Sequence, residues 1–94
     1  MRIAVVVPGA LRQFTAGESR IELDVPADAT VGTVLQTLAA DRPTLHRRIQ
    51  DEAGGLRRHV NVFVGDTNVR DAELLDTPVR AGVDITVLPS VSGG

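Results

Sequence analysis

The side chains of this sequence offer little to a catalyst. There is no cysteine, which excludes a thiolate nucleophile, disulfides, zinc–thiolate sites and iron–sulfur clusters. His46 and His59 are the only histidines and show no HxxxH spacing. They read as surface or hydrogen-bonding residues, and no metal site is expected. No serine sits in a GxSxG turn, so a hydrolase triad has no supporting signature. Asp51 and Glu52 read as a solvated pair rather than an acid–base couple. All ten basic residues are arginine, so no side-chain amine is available for acylation. The remaining candidate is Gly93-Gly94, at the end of the short stretch Pro89-Ser90-Val91-Ser92-Gly93-Gly94. A chain-terminal carboxyl has a pKa of about 3.3–3.7 and is ionised at neutral pH. As a carboxylate it is a poor electrophile. Activation as an acyl-adenylate, made from ATP, would let sulfide or a persulfide displace AMP and leave a thiocarboxylate. Glycine, lacking a Cβ, can thread a narrow channel and leaves the acyl carbon unhindered. The competing reading is a cut linker.

Charge and ring content narrow the partners. The net charge is −2 and Phe14 and Phe63 are the only aromatics, so neither a basic face nor stacking rings point to nucleic acid. No apolar run approaches the roughly 20 residues that span a membrane, and the opening MRIAVVVPGA is cut by Pro8, so it does not read as a signal peptide. A cytoplasmic location is expected. The arginines Arg47, Arg48, Arg57 and Arg58 cluster in the 47–58 stretch. They either solvate an exposed connection or dock a partner.

The elements that must position the tail are legible from periodicity. Ile3, Val5 and Val7 alternate with their neighbours as a strand, and Pro8-Gly9 breaks it. Arg20–Val25 alternates polar and apolar, ending at Pro26. Val31, Val34, Leu35 and Leu38 show helical spacing behind Thr30, a plausible N-cap. Pro43 disfavours helical geometry at Arg42, which places the helix end near Asp41. Leu45 and Ile49 predict a second short helical turn. Val60, Val62 and Val64 form a third strand, Val69 begins a short fourth, and Ala72–Asp76 can make one helical turn. Val83, Ile85 and Val87 form the last strand, ended by Pro89. One amphipathic helix can cover only one face of the sheet. The order β-β-α-β-(β)-β is therefore the α+β β-grasp plan, a mixed sheet packed on one main helix. Its first and last strands run parallel at the centre. Val5, Leu23, Val34, Leu35, Leu38, Val62, Ile85 and Val87 are the expected core. The domain is expected to span 1–89, with 90–94 a flexible tail.

Three stretches carry a family resemblance: VPGALRQFTAG after the first strand, RRHVNVFVGDTNVR around the third, and DITVLPSVSGG at the end. They resemble MoaD/ThiS-type ubiquitin-like sulfur carriers over nearly the whole chain. The VNVFV…D..VR pattern and residues 44–59 before it favour the cysteine-biosynthesis carriers of actinobacteria. The resemblance implies that Gly94, with Gly93 beside it, is adenylated by an E1-like enzyme and converted to the thiocarboxylate. It further implies a pyridoxal-phosphate (PLP) enzyme related to cysteine synthase as recipient, and a zinc-dependent JAMM-type peptidase that releases cysteine. ATP and magnesium belong to the activating enzyme; the chain itself is expected to bind no cofactor and to act as a co-substrate, not an enzyme. Alternatives are a carrier for molybdopterin or a secondary metabolite, and a ubiquitin-like modifier or interaction module. Alternation also directs Val6, Phe63 and Leu88 outward on an open sheet face, where polar residues are usual. They are either scattered surface hydrophobes or a partner-docking patch beside the tail. The resemblance supports the patch, because family members dock through the corresponding face.

Overall fold

The computed structural model describes residues 1–89; residues 90–94, and with them the candidate residues Gly93 and Gly94, lie outside the described residues. Five strands form one sheet: β1 (Arg2–Val6), β2 (Arg20–Asp24), β3 (Val60–Val64), β4 (Thr67–Asn68) and β5 (Ile85–Pro89), in the order β2-β1-β5-β3-β4. β1 and β5 are parallel neighbours at the centre, and every other pairing is antiparallel. This is the β-grasp arrangement.

Two helices lie against one face, α1 (Val31–Asp41) and α2 (Pro43–Ile49). Thr30 caps α1 as expected: its hydroxyl accepts from the Thr33 amide at 3.3 Å, and the Thr33 hydroxyl accepts from the Thr30 amide at 3.2 Å. Two otherwise unpaired amide donors are thereby satisfied. Arg42, before Pro43, leaves helical geometry with φ −139° and ψ 70°, and α2 starts afresh at the proline. The inward strand residues meet Val34, Leu35, Leu38, Leu45 and Ile49 in one buried cluster, and all eight expected core residues belong to it.

Several boundaries differ from the sequence reading. Val7 lies just past β1 and Val25 just past β2, and the turn expected over Ala72–Asp76 is a shorter 3-10 turn, Leu74–Asp76. Val69 does not begin the fourth strand; β4 is Thr67–Asn68, ahead of it, and Val69 opens a 3-10 turn with its side chain fully buried. The Asn68 side chain accepts from the Arg70 amide at 3.0 Å and so offers the backbone a turn in place of a ladder. Val83 also stays outside its strand, because its amide turns back to the Arg80 carbonyl at 3.2 Å across Gly82, whose φ is +83°. Pro89 ends β5 as its last residue, paired with Val60. The connection after β1 contains a 3-10 turn, Gly9–Phe14.

Candidate functional site

The sheet face turned away from the helices is built by register. Val6 on β1 is level with Thr86 on β5, and Thr86 is level with Phe63 on β3. The three side chains form one row on one face, because paired residues share a face. Leu88 lies two residues beyond Thr86 on the same face, opposite Asn61. Val6 and Phe63 are half-buried, whereas Leu88 is 41% exposed. The structure thus places the three sequence candidates around Thr86, which had not been singled out. The alternation Asp84, Thr86, Leu88 was the signal that could have found it.

Polar locks bound this strip on both sides. On the β2 side, the Arg20 guanidinium forks onto the Asp84 carboxylate at 3.1 and 3.2 Å, bridging over β1. Arg2 pairs with Asp24 at 3.3 Å and Glu22 at 3.4 Å, and Asp24 beside it holds the Arg2 pKa above its ordinary value. On the β4 side, the Asn61 side-chain oxygen accepts from Arg70 at 3.2 Å and from Asn68 at 3.4 Å. The strip's own side chains are a valine, a threonine, a phenylalanine and a leucine, so burial by a partner would desolvate little charge. The strip runs to Pro89, from which residues 90–94 continue. Five residues reach at most about 17 Å.

The remaining sequence candidates are dispersed. The Asp51 carboxylate accepts from the Ala53 amide at 2.9 Å and the Gly55 amide at 3.0 Å. It is a turn-former and makes no pair with Glu52. His46 Nε2 bonds to the Gln50 side-chain oxygen, and Gln50 in turn donates to the Gly54 carbonyl at 2.7 Å. Among the described residues, no group of three or more His, Asp or Glu side chains converges as a metal site. No helix among them is long and apolar enough to cross a membrane. Arg47, Arg48, Arg57 and His59 line one concavity, which Arg58 does not reach. Away from both regions, Arg42 grips Glu18 at 2.7 and 3.0 Å, and this hydrogen bonding lowers the Glu18 pKa against a smaller desolvation effect.

Comparison with known proteins adds to this geometry. The ThiS family profile matches residues 5–94. The sulfur carrier protein CysO of Mycobacterium tuberculosis is 33% identical over 96 aligned positions, which span 100% of both chains. The crystal structure of small archaeal modifier protein 1 from Haloferax volcanii superimposes with a TM-score of 0.83 at 30% identity, covering 100% of each chain. A chain of the Amycolatopsis orientalis BexX/CysO complex gives a TM-score of 0.80 at 32% identity, covering 98% of this chain and 99% of its own.

Proposed function

This chain belongs to the ThiS family, and from that premise we propose that it is a sulfur carrier for cysteine biosynthesis, loaded at the carboxyl of Gly94. The observation that carries the reading is the reach of the family match, which runs through Gly93 and Gly94. Full-length similarity to CysO supports the cysteine branch. A carrier is a co-substrate of the enzymes that load and unload it and is not itself an enzyme.

The chemistry follows from the carboxylate. Its oxygen attacks the α-phosphorus of ATP, pyrophosphate leaves, and an acyl-adenylate forms on Gly94. Sulfide then attacks the carbonyl carbon; the carbon–sulfur bond forms, the carbon–oxygen bond to AMP breaks, and a thiocarboxylate results. ATP and magnesium are supplied in the E1-like activating enzyme. The recipient in this reading is a PLP-dependent enzyme related to cysteine synthase, and a JAMM-type metallopeptidase releases the product. A cytoplasmic location goes with these partners. Each partner must bind the same small domain while taking its end into an active site. The Val6–Thr86–Phe63 row and Leu88, beside the origin of the tail, are the docking surface in this reading. The BexX/CysO complex supports a protein partner held by a chain of this shape.

Similarity to small archaeal modifier protein 1 favours a second reading. There the same acyl-adenylate is passed to lysine amines of other proteins. One experiment separates the two. The chain is incubated with an E1-like activating enzyme, ATP and sulfide, and its intact mass is read. Replacement of oxygen by sulfur adds about 16 mass units, and a chain lacking Gly94 gains nothing. A truncated chain that still gains this mass refutes the site. Amide adducts to other proteins without the mass gain favour the modifier.

A further inference from the structure

The arginines of this chain are unevenly employed. Among the described residues, carboxylate partners within 4.0 Å go to Arg2, Arg20 and Arg42. Arg47, Arg48 and Arg57 have none there; together with His59, Thr44 and Val60 they line a concavity of about 510 Å³ that has no acidic residue in its wall. Of the seven arginines without such a partner among the described residues, three stand together here, whereas Arg12, Arg58, Arg70 and Arg80 lie outside this wall.

Part of this clustering serves the fold. Arg47 and Arg48 occupy the last turn of α2, where cations are favoured by the partial negative charge of the helix end. Arg57 Nε donates to the Arg47 carbonyl at 2.6 Å, satisfying one of the carbonyls that a helix end leaves open. The Arg48 guanidinium lies over the Phe14 ring, 4.3 Å from its centroid. Each of these contacts spends one edge or face of a guanidinium and leaves other N–H donors over. The wall itself is braced. Arg70 donates to the Arg57 carbonyl at 2.9 Å and the Val60 carbonyl at 2.8 Å, and the Arg57 amide donates to the Ile49 carbonyl at 2.9 Å. The positive groups are therefore partly pre-positioned, which lowers the ordering cost of a contact.

Position then indicates the occupant. Val60 lines the concavity and pairs with Pro89, the last described residue. Residues 90–94 continue from Pro89, beside the concavity, so a protein that takes up the end of this chain comes within reach of it. The arginines and His59 are exposed, spread over an open surface and not closed around one small ion. Such a surface suits several carboxylates on a chain segment. Contacts of this kind raise association rate and set orientation without adding much affinity. That suits a protein that must leave each partner after transfer.

We propose that the Arg47–Arg48–Arg57–His59 concavity docks an acidic peptide segment, two or more Asp or Glu residues, on the partner protein that receives the C-terminal end. The inference rests on the carrier reading only for that partner's identity. Its test is independent of sulfur loading. The full ¹⁵N-labelled chain is titrated with a terminally blocked hexaglutamate peptide, and amide shifts are followed. Shifts are expected at Arg47, Arg48, Arg57, His59 and Val60, shrinking as added salt shortens the screening length. Arg47→Glu/Arg57→Glu should weaken binding about tenfold, given the modest strength of each exposed ion pair. Arg47→Glu alone, whose side chain makes no hydrogen bond among the described residues, should give an intermediate loss and guards against misfolding of the double variant. Arg58→Glu/Arg80→Glu changes net charge equally and should bind within about twofold of the parent. An equal loss in that control overturns the proposal, as do shifts mapping to another surface. Equal shifts with inorganic phosphate would assign the concavity to a small anion. Shifts of the same amides with chain concentration alone would assign it to a second copy. Either result overturns the peptide assignment, and the intact-mass experiment stands or falls separately.

Discussion

Leu88→Asp tests whether the outer sheet face is a docking surface. Leu88 is 41% exposed in the free chain, so roughly 75 Å² remains for a partner to cover, worth about 2 kcal/mol at 25 cal/mol per Å². Aspartate forfeits that burial and adds the cost of desolvating a carboxylate with no partner, about 1 kcal/mol or more. Binding to the activating enzyme should weaken by about 3 kcal/mol, more than a hundredfold. The fold should lose far less. Leu88 faces Asn61, not an acidic residue, so no like charges are set opposite each other, and the strand preference costs about 1 kcal/mol. For a domain of this size that is a fall in Tm of about 4–8 °C. Calorimetric titration of the variant against the activating enzyme, alongside thermal unfolding, separates the two effects. A binding curve that overlays the parent, with Tm lowered as stated, would show that the partner does not cover this face. A loss of binding that only parallels unfolding would equally refute the reasoning.

Two further outcomes follow from the fold. Leu38 is fully buried between α1 and the sheet, so Leu38→Ala should cost about 2–5 kcal/mol, read as a shift in the denaturation midpoint at unchanged m-value; an unchanged midpoint contradicts the packing. Glu18 has its pKa lowered mainly by the Arg42 hydrogen bond, so its contribution is present above the ordinary glutamate range and is lost as pH falls through the lowered value; Glu18→Gln should flatten stability against pH below about 4.3, and an unaltered acid limb in urea titrations would exclude this pair as a source of acid sensitivity.

The sequence by itself determined which residues form elements and which way they face. Alternation at Val5, Val62, Ile85 and Val87 and helical spacing at Val34, Leu35 and Leu38 follow from local geometry, and these residues are in the core. Thr30 and Pro43 mark helix boundaries through capping and steric restriction within a few residues, and both act as read. The absence of cysteine and lysine and the residue types at the tail are likewise composition alone. Only the tertiary structure decided what is adjacent. Thr86 stands between Val6 and Phe63 because of the parallel register of β1 and β5, and pairings at long sequence separation are not encoded in local periodicity. Arg20 meets Asp84 across 64 positions, bounding the face on one side. Val69 left its expected strand because a side-chain cap from Asn68 outcompeted the ladder. Val60 meets Pro89, which brings the arginines of α2 and the 57–60 wall to the origin of the tail. A charge cluster that the sequence leaves open between solvation and docking becomes the wall of a concavity beside Pro89 when the two ends of the β3–β5 ladder are set together.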